Sequence, residues 1–393
     1  MRILVVPSWY PTTNSPIAGV FFREQALAIH RYGHHVSVIY PDLRSLRDWR
    51  SIVMGTYGVA REVDDGVTTF RSHGMLWTPR MPSASDRLWV DHGARLYEAY
   101  RREFGHPDLV HAHGMINAGR LAMAIERRYG VPFIVTEHDT GYARGTVTGR
   151  RLQRARAIAR RASRRFAVSP SFCAHLDDVL GFEAGAWEEM PNIVERRFVE
   201  APLPRRADRN RTFRFLNVAL LTKKKGVHVL IRAFAQAFAN DASVTLAIGG
   251  DGVERPRLEA LANEIGVADR VTFLGALSRD QVMASMSEAD AFVLSSTFET
   301  FGVVVVEALA LGTPVVATRC GGPESIVRPR DGVLVARDDV GALADGMKRL
   351  RANHAQYDAD EIRTSCIARY GEDTVSRRLS DAYDAVVATA VRV

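Results

Sequence analysis

Two glutamates, Glu299 and Glu307, stand eight positions apart around the predicted start of a helix, and they carry the clearest chemical signal in the sequence. With a helix start near Phe301 or Gly302, Glu299 lies in a loop and Glu307 lies more than one turn inside the helix. At about 1.5 Å of rise per residue, their Cα atoms are expected within about 12 Å of each other. Free N–H groups at the helix start favour an anion between them. The spacing predicts a site for an elongated ligand with hydroxyl groups and a diphosphate, such as a nucleotide-sugar; two solvated glutamates on a helix edge are the alternative.

Three adjacent lysines form a second signal. The sequence contains 48 arginines but only four lysines, and Lys223, Lys224 and Lys225 are consecutive. A lysine ammonium is a compact charge that commonly binds phosphate. The run therefore predicts a phosphate contact, and a chance cluster on a solvated loop is the alternative.

Two histidines, His113 and His138, end the predicted strands DLVHAH and VPFIVTEH. In an open α/β sheet, ligands bind at the carboxyl ends of the strands, so both histidines are expected beside a ligand cleft. Core histidines held by backbone hydrogen bonds are the alternative for each.

The stretch from Ser295 to Glu324 resembles the nucleotide-sugar signature of the retaining glycosyltransferases of family 4, which have the GT-B fold. In that signature a Pro-Ser-x-x-Glu-x-Phe-Gly loop leads into a helix with the second glutamate, and a Gly-Gly-x-x-Glu turn follows. Ser295 stands where the family usually has proline. The matching positions are Ser296, Glu299, Phe301, Gly302, Glu307, Gly321, Gly322 and Glu324. Thr300, in the same loop, is a further predicted donor-binding residue.

The resemblance implies a role for each matching residue. Glu299 would contact the transferred sugar, Glu307 the ribose, and the turn from Gly321 to Glu324 the sugar and phosphate. Lys225, which precedes Gly226 as in the family, would hold the diphosphate. One histidine of the family faces the reacting sugar, and we assign that position to His113, with His138 as an acceptor-side candidate. Glu299, His113 and Lys225 are thus the predicted catalytic residues.

The sequence departs from the family at two positions. Leu220 replaces the arginine that helps to hold the diphosphate, so either Lys223 or Lys224 supplies the missing charge or the phosphate is held less tightly. Ala18 replaces the first glycine of the Gly-Gly pair near the diphosphate, which leaves Gly19 to allow a close backbone approach; an ordinary helix-start glycine is the alternative. A glycine cluster around Gly250 predicts a turn beside the nucleotide.

At 393 residues the chain is too long for one hydrophobic core, and its strand-helix-strand order indicates parallel α/β sheets. The resemblance implies two Rossmann-like domains facing across a cleft, with a C-terminal helix crossing back to the first. We expect residues 1–200 to bind the acceptor, 201–374 to bind the nucleotide-sugar donor, and 375–393 to form that helix. A hairpin is predicted at Asp65-Gly66.

The composition indicates a globular cytoplasmic protein. Its three cysteines have no motif spacing, which argues against disulfides and a zinc site. The N-terminal apolar stretch is shorter than a signal peptide core, and no apolar run approaches the roughly 20 residues of a membrane span. No Asp-x-Asp motif for a metal-bound diphosphate is present, so we expect no metal and no cofactor, with lysines and helix N-termini neutralising the leaving group.

Positive charge concentrates in the first 200 residues, which hold 27 basic and 21 acidic side chains. A predicted helix over 150–165 carries eight arginines. Its predicted apolar face consists of Leu152, Ala155, Ile158, Ala162 and Phe166. Trp77 lies in a proline-interrupted loop over 75–89 that also holds Met75, Met81 and Trp89. Both features predict peripheral contact with an anionic membrane or a lipid-linked acceptor, and a solvated arginine face with local packing is the alternative.

The sequence therefore predicts a retaining, metal-independent glycosyltransferase that moves a hexose-type sugar from a UDP- or GDP-sugar to a hydroxyl acceptor. Cell-surface polysaccharide or glycolipid synthesis is the expected context, and no nucleic acid partner is expected. The alternatives are a soluble small-molecule acceptor, an epimerase or phosphorylase of the same fold, and a non-catalytic nucleotide-sugar-binding protein. A glycosidase would need its two carboxyl groups within about 10 Å across one glycosidic bond, which is not the arrangement expected for the paired glutamates.

Overall fold

The computed structural model describes residues 1–12, 15, 17–45, 57–77, 81–203 and 212–390. The chain divides into two compact units. One comprises Met1–Ile193 with Glu372–Val393, and the other comprises Val194–Gly371. Each unit contains its own sheet, as the strand-helix-strand pattern predicts.

The first unit is built on a sheet with the strand order β3-β4-β2-β1-β5-β6-β7-β8. The described strands are β1 (Arg2–Pro7), β2 (His35–Ser45), β3 (Gly58–Asp64), β4 (Val67–Leu76), β5 (Leu109–His113), β6 (Phe133–Glu137), β7 (Arg164–Ala167) and β8 (Glu188–Glu189). Neighbouring strands are parallel except β3 and β4. That antiparallel pair turns through Asp65 and Gly66, both with positive φ, and so confirms the predicted hairpin.

Helices of the first unit connect these strands. They are α1 (Val20–Arg31), α2 (Pro82–Phe104), α3 (Arg120–Tyr129), α4 (Gly149–Arg161) and α5 (Pro170–Leu180), and a π-helical turn, Met115–Gly119, precedes α3. The apolar residues of β1, β5 and β6 are almost completely buried, as expected for parallel strands covered on both faces, whereas Val59 and Val63 of the edge strand β3 are exposed.

The predicted arginine helix over 150–165 is wrong at its C-terminal end. Helix α4 stops at Arg161, because Ala162 has an extended backbone with φ −60° and ψ 134°. Arg164 and Arg165 lie on β7, and Phe166 is buried in the sheet rather than on a helical face.

The predicted loop over 75–89 is also largely wrong. Met75 lies in β4, and Trp89 is a buried residue of α2. Trp77 and Met81 are exposed, and residues 78–80 lie outside the described ranges. The proline at position 82 begins α2, where its missing N–H does no harm, so it does not interrupt the segment as the prediction assumed.

The second unit has a fully parallel sheet with the order β11-β10-β9-β12-β13-β14. Its strands are β9 (Phe213–Val218), β10 (Val244–Gly249), β11 (Val271–Gly275), β12 (Ala291–Leu294), β13 (Val315–Thr318) and β14 (Gly332–Val335). Its α-helices are α6 (Arg196–Glu200), α7 (Val227–Phe238), α8 (Arg255–Glu264), α9 (Arg279–Glu288), α10 (Val303–Ala310), α11 (Pro323–Ile326), α12 (Val340–Ala352) and α13 (Ala359–Tyr370).

The last helix, α14 (Glu372–Ala390), belongs to the first unit, as expected for the C-terminal helix. It packs on α1 and buries Leu379 and Tyr383 in the core that also contains Val5. Arg31 of α1 forms an ion pair with Glu372 at 2.6 Å. These contacts explain why the end of the chain groups with its beginning.

The boundary of the second unit falls at Val194 instead of residue 201. The N–H of Val194 donates to the carbonyl of Tyr370 at 2.9 Å, and Glu195 pairs with Arg279 at 2.6 Å. These contacts attach the segment before the predicted linker to the second unit. Residues 204–211 of that linker lie outside the described ranges. Among the described residues, no helix combines the length and apolarity that crossing a membrane requires.

Candidate active site

The loop after β12 and the turn after β13 are joined through Glu299. Its N–H donates to the carbonyl of Cys320 at 2.8 Å, and its own carbonyl accepts from the N–H of Gly322 at 2.9 Å. A Cβ atom at Gly322 would lie 2.0 Å from the carbonyl oxygen of Phe301, so only glycine permits this approach. The structure thus brings both halves of the predicted signature together.

Lys225 and Glu299 form an ion pair, with Nζ 2.5 Å from Oε1. The hydroxyl of Ser296 donates to the same Oε1 at 2.7 Å. The two side chains are 18% and 14% exposed, so the pair is largely shielded from water. The predicted phosphate-binding cation and the predicted sugar-binding carboxylate are therefore direct neighbours.

The three lysines form a single turn of 3₁₀ helix, Lys223–Lys225, just before α7. Two hydrogen bonds hold this turn against the loop after β12: Thr297 N–H donates to the carbonyl of Lys224 at 2.8 Å, and Ser295 Oγ donates to that of Lys225 at 2.9 Å. A Cβ at Gly226 would lie 2.0 Å from the carbonyl of Ser295, which explains the Lys-Gly pair. Packing of the two loops therefore delivers Lys225 to Glu299.

The lysine side chains differ in exposure, and the family arginine position is open to solvent. Lys223 is exposed and Lys224 is partly buried. Leu220, which stands in place of that arginine, is 63% exposed. Gly250 follows β10 beside this segment, since the N–H of Ala219 donates to the carbonyl of Gly249 at 3.0 Å. The predicted glycine turn and the lysine loop are thus adjacent.

Helix α10 begins directly after Gly302, which has φ 112°, and Glu307 is its fifth residue. The helix start therefore lies between the two glutamates, as predicted. The carboxylate of Glu324 is already occupied within its own turn, where it accepts from the N–H of Gly321 at 2.9 Å and from that of Cys320 at 3.2 Å. We therefore expect Glu324 to shape the turn in addition to any contact with a ligand.

Glu307 is only 1% exposed and is paired with a residue that the sequence analysis did not identify. Its Oε1 lies 2.5 Å from Nη2 of Arg279, the first residue of α9. Arg279 also contacts Glu195, and Glu195 contacts Arg197. Burial raises the pKa of Glu307, while the guanidinium of Arg279 acts in the opposite direction.

The first unit brings His113 and His138 together at the ends of β5 and β6. Nδ1 of His113 lies 3.2 Å from Nε2 of His138, and both side chains are buried. Burial lowers the pKa of His138 to about 3 and that of His113 well below its usual range. Both rings are therefore neutral at physiological pH, and each can donate one hydrogen bond and accept another.

A third histidine and a buried glutamate support this pair. Nδ1 of His111 lies 2.8 Å from the hydroxyl oxygen of Tyr383 on α14, and the centre of the His111 ring is 4.1 Å from that of the His113 ring. Glu137, at the end of β6, accepts from the N–H groups of Met115, His138 and Asp139, each at 2.8 Å. Its carboxylate therefore ties the segments that follow β5 and β6 to each other.

Phe22 links the predicted Gly19 to the histidine pair: its N–H donates to the carbonyl of Gly19 at 3.0 Å, and its ring centre lies 4.8 Å from those of His113 and His138. Gly19 precedes α1 with φ 71° and packs against the backbone of Trp9. Trp77 is 66% exposed and borders a cavity of about 310 Å³, which is also lined by Met75, His92 and Arg95. Among the described residues, no cluster of three or more His, Cys, Asp or Glu side chains is arranged to hold a metal ion.

Comparison with known proteins identifies the family. The family model described as "Glycosyltransferase Family 4" matches residues 18–198, and the model described as "Glycosyl transferases group 1" matches residues 204–366. A glycogen synthase of Mycobacterium tuberculosis is 30% identical over 360 residues, which cover 88% of this chain and 85% of that protein. The chain belongs to glycosyltransferase family 4.

This glycosyltransferase has the same fold as several proteins of known structure. A sucrose-phosphate synthase from Thermosynechococcus elongatus has a TM-score of 0.78 at 22% identity, covering 99% of this chain and 100% of that one. The Anabaena protein HepE in complex with UDP has a TM-score of 0.72 at 20% identity, covering 98% and 100%. The predicted GT-B fold, with two parallel-sheet α/β domains, is confirmed.

Sequence reasoning missed three residues of this glycosyltransferase: Arg279 and Glu137, which contact the predicted Glu307 and His138, and Glu195, which contacts Arg279. Arg279 is one of 48 arginines and lies 28 positions from Glu307 and 84 from Glu195. Glu137 directly precedes the predicted His138, and its position at the end of a buried strand was the one available signal. Their partners follow only from the folded chain.

Proposed function

We propose that this glycosyltransferase transfers a hexose-type sugar from a UDP- or GDP-sugar to a hydroxyl acceptor, with retention of the anomeric configuration and without a metal ion. The observation that carries the proposal is the ion pair of Lys225 with Glu299, next to the start of the helix that bears Glu307. Cation, carboxylates and free helix N–H groups match the three parts of such a donor: diphosphate, sugar and ribose.

Each group has a defined task in the transfer. The bond between the sugar anomeric carbon and the diphosphate breaks, and a bond from that carbon to the acceptor oxygen forms on the same face. The acceptor proton leaves with the diphosphate. Lys225 and the N–H groups at the start of α10 stabilise the negative charge on the departing phosphate, and Glu299 binds hydroxyls of the transferred sugar.

The choice of nucleotide is supported by a structural relative. The HepE structure contains UDP, and its fold covers nearly the whole of this chain. We therefore take UDP-sugars as the first donors to test and GDP-sugars as the second.

The acceptor is proposed to be a lipid-linked or cell-surface glycan intermediate, reached by peripheral contact with an anionic membrane. The exposed side chains of Trp77 and Met81 favour this, because apolar and aromatic groups gather at membrane interfaces. The arginines contribute less than the sequence suggested. Arg161 is paired with Glu126, Arg164 with Glu188, and Arg165 donates to backbone carbonyls.

The test is to incubate the purified protein with UDP- and GDP-sugars and candidate acceptors, and to measure released nucleotide and the anomeric configuration of the product by NMR. We expect release of one nucleotide and an α-linked product from an α-linked donor. Nucleotide binding without release would indicate a non-catalytic binding protein. Conversion of the sugar while it remains on the nucleotide would indicate an epimerase, and an inverted product would contradict retention.

Membrane contact has its own test. Sedimentation with anionic vesicles should bring the protein down at low salt, and replacing Trp77 and Met81 with serine should reduce the bound fraction. Equal recovery with neutral and anionic vesicles would support the soluble-acceptor alternative.

A further inference from the structure

The two carboxylate oxygens of Glu307 differ in their hydrogen bonding among the described residues. Oε1 accepts from Nη2 of Arg279 at 2.5 Å. Oε2 is buried and has no hydrogen-bond partner among the residues that the structure describes. A buried polar atom without a partner costs free energy, so such an atom in a candidate binding site indicates a ligand group that completes it. A carboxylate oxygen accepts, so that ligand group is a donor such as a hydroxyl.

Arg279 is itself fixed by a second carboxylate. Its Nε and Nη2 both donate to Oε2 of Glu195, at 2.9 and 2.6 Å. Its guanidinium carbon lies 4.9 Å from the ring centre of Phe198 on α6, within the range of a cation–π contact. Glu195 is 6% exposed, so this anchor is largely shielded from water. The guanidinium therefore meets Glu307 in one defined orientation.

The charges around Glu307 determine which form of the carboxylate is present. Burial raises its pKa, and the negative charge of Glu195 adds to that effect. Arg279 opposes the rise most strongly, and Arg197 adds a smaller opposing contribution. Since only the ionised carboxylate is a pure hydrogen-bond acceptor, the guanidinium favours the form that binds a hydroxyl.

We propose that Arg279 is a positioning residue of the donor site. It keeps Glu307 ionised and engages Oε1, so that Oε2 alone is presented to the ribose hydroxyls of the nucleotide. Glu195 holds Arg279 in this position. The inference rests on the proposed function, because it assigns the ribose of a nucleotide donor to Glu307.

The test compares ribose with deoxyribose in binding experiments. Affinities for UDP and 2′-deoxy-UDP, and for GDP and 2′-deoxy-GDP, are measured by calorimetry for the full chain. The wild type should prefer the ribonucleotide by about 10- to 100-fold, the value of a hydrogen bond to a charged group. Arg279→Met should reduce this ratio to about one while leaving the affinity for the deoxynucleotide nearly unchanged, since the substitution acts only through the ribose contact.

Matched variants separate positioning from general damage to the fold. Arg214→Met removes an exposed arginine whose partner is Glu288, and it should keep the wild-type ratio. Glu195→Gln weakens the anchor and should lower the ratio partly, which keeps the test informative if Arg279→Met does not fold. Arg279→Met combined with Glu307→Gln should lose no more discrimination than either single variant, because both act on one contact.

The outcomes distinguish this inference from the proposed function. A preserved ratio in Arg279→Met, or an equal loss of ribo- and deoxynucleotide affinity, would overturn the positioning role alone. Equal binding of both nucleotides by the wild type would overturn the assignment of ribose to Glu307 and this inference with it. Absence of sugar transfer despite ribose discrimination would refute the transferase proposal and leave the role of Arg279 standing.

Discussion

The ammonium of Lys225 lies 2.5 Å from Oε1 of Glu299, so the cation predicted to hold the diphosphate and the carboxylate predicted to hold the adjacent sugar are paired with each other. Removing one member of an ion pair that is shielded from water is strongly destabilising, because the charge of the other member is left unpaired. A diphosphate that binds Lys225 would share this ammonium with Glu299. Phosphate binding and the position of the sugar-binding carboxylate are therefore expected to depend on each other.

Removing the ammonium should affect phosphate recognition selectively. Lys225→Ala is expected to weaken UDP binding by about 10- to 100-fold and uridine binding much less, because the lost contact is charge-assisted. Titration calorimetry with UDP, GDP and their nucleosides measures the effect. Lys348→Ala, which removes an exposed lysine near Asp345, is the control. An equal loss for nucleotide and nucleoside would mean that Lys225 supports the fold instead of the phosphate.

Substitutions of the two glutamates should affect different kinetic constants. Glu307→Gln is expected to raise the KM for the donor by about 10- to 100-fold, since it weakens a charge-assisted bond to the ribose. Glu299→Gln should mainly lower kcat, because its contact is to the sugar that reacts. Initial rates over a range of donor concentrations give both constants. Unchanged donor kinetics in both variants would remove the site from this loop and helix.

The leucine at the family arginine position offers a gain-of-function test. Leu220 is 63% exposed, so Leu220→Arg introduces a cation without crowding the core. If the phosphate is held less tightly than in the family, this variant should bind UDP about 10-fold more tightly. Unaltered UDP affinity, together with loss of affinity in Lys223→Ala or Lys224→Ala, would instead show that a lysine already supplies the charge.

Chelation tests the proposed absence of a metal. If Lys225 and the start of α10 carry the leaving-group charge, turnover should persist in EDTA and should not rise on addition of Mg²⁺ or Mn²⁺. Released nucleotide is measured after dialysis against chelator. Activity that disappears in EDTA and returns with either cation would contradict the metal-independent mechanism.

Glu137 should make stability depend on pH. Burial raises its pKa from 4.5 to about 7. A group whose pKa is higher in the folded state stabilises the fold most at low pH, and this contribution is lost as the pH rises through the folded-state value. Relative to Glu137→Gln, the free energy of unfolding of the wild type should therefore fall by about 3 kcal/mol between about pH 4.5 and pH 7. Urea denaturation of both proteins across this interval measures it, and a constant difference would refute the shift.

The donor loop illustrates what local sequence can determine. Ser296, Glu299 and Gly302 lie within seven residues, and the helix start and the fifth-residue position of Glu307 follow from spacing and helix geometry. The hairpin at Asp65-Gly66 was predictable for the same reason, since its backbone demands are local. The end of the arginine helix was not, because the pairing of Arg164 to Ala167 with β6 overrides the helical period of the apolar residues.

By itself the sequence determined the family, the two parallel α/β domains and the candidate donor residues, because these depend on short motifs and on the order of elements along the chain. Tertiary structure decided the partners of those residues. Lys225 meets Glu299 across 74 positions, Arg279 meets Glu195 across 84, and Tyr383 meets His111 across 272. No local pattern in the sequence indicates such contacts. They form only when the fold brings loops that follow different strands to the same edge of a sheet, or packs a distant helix against that sheet.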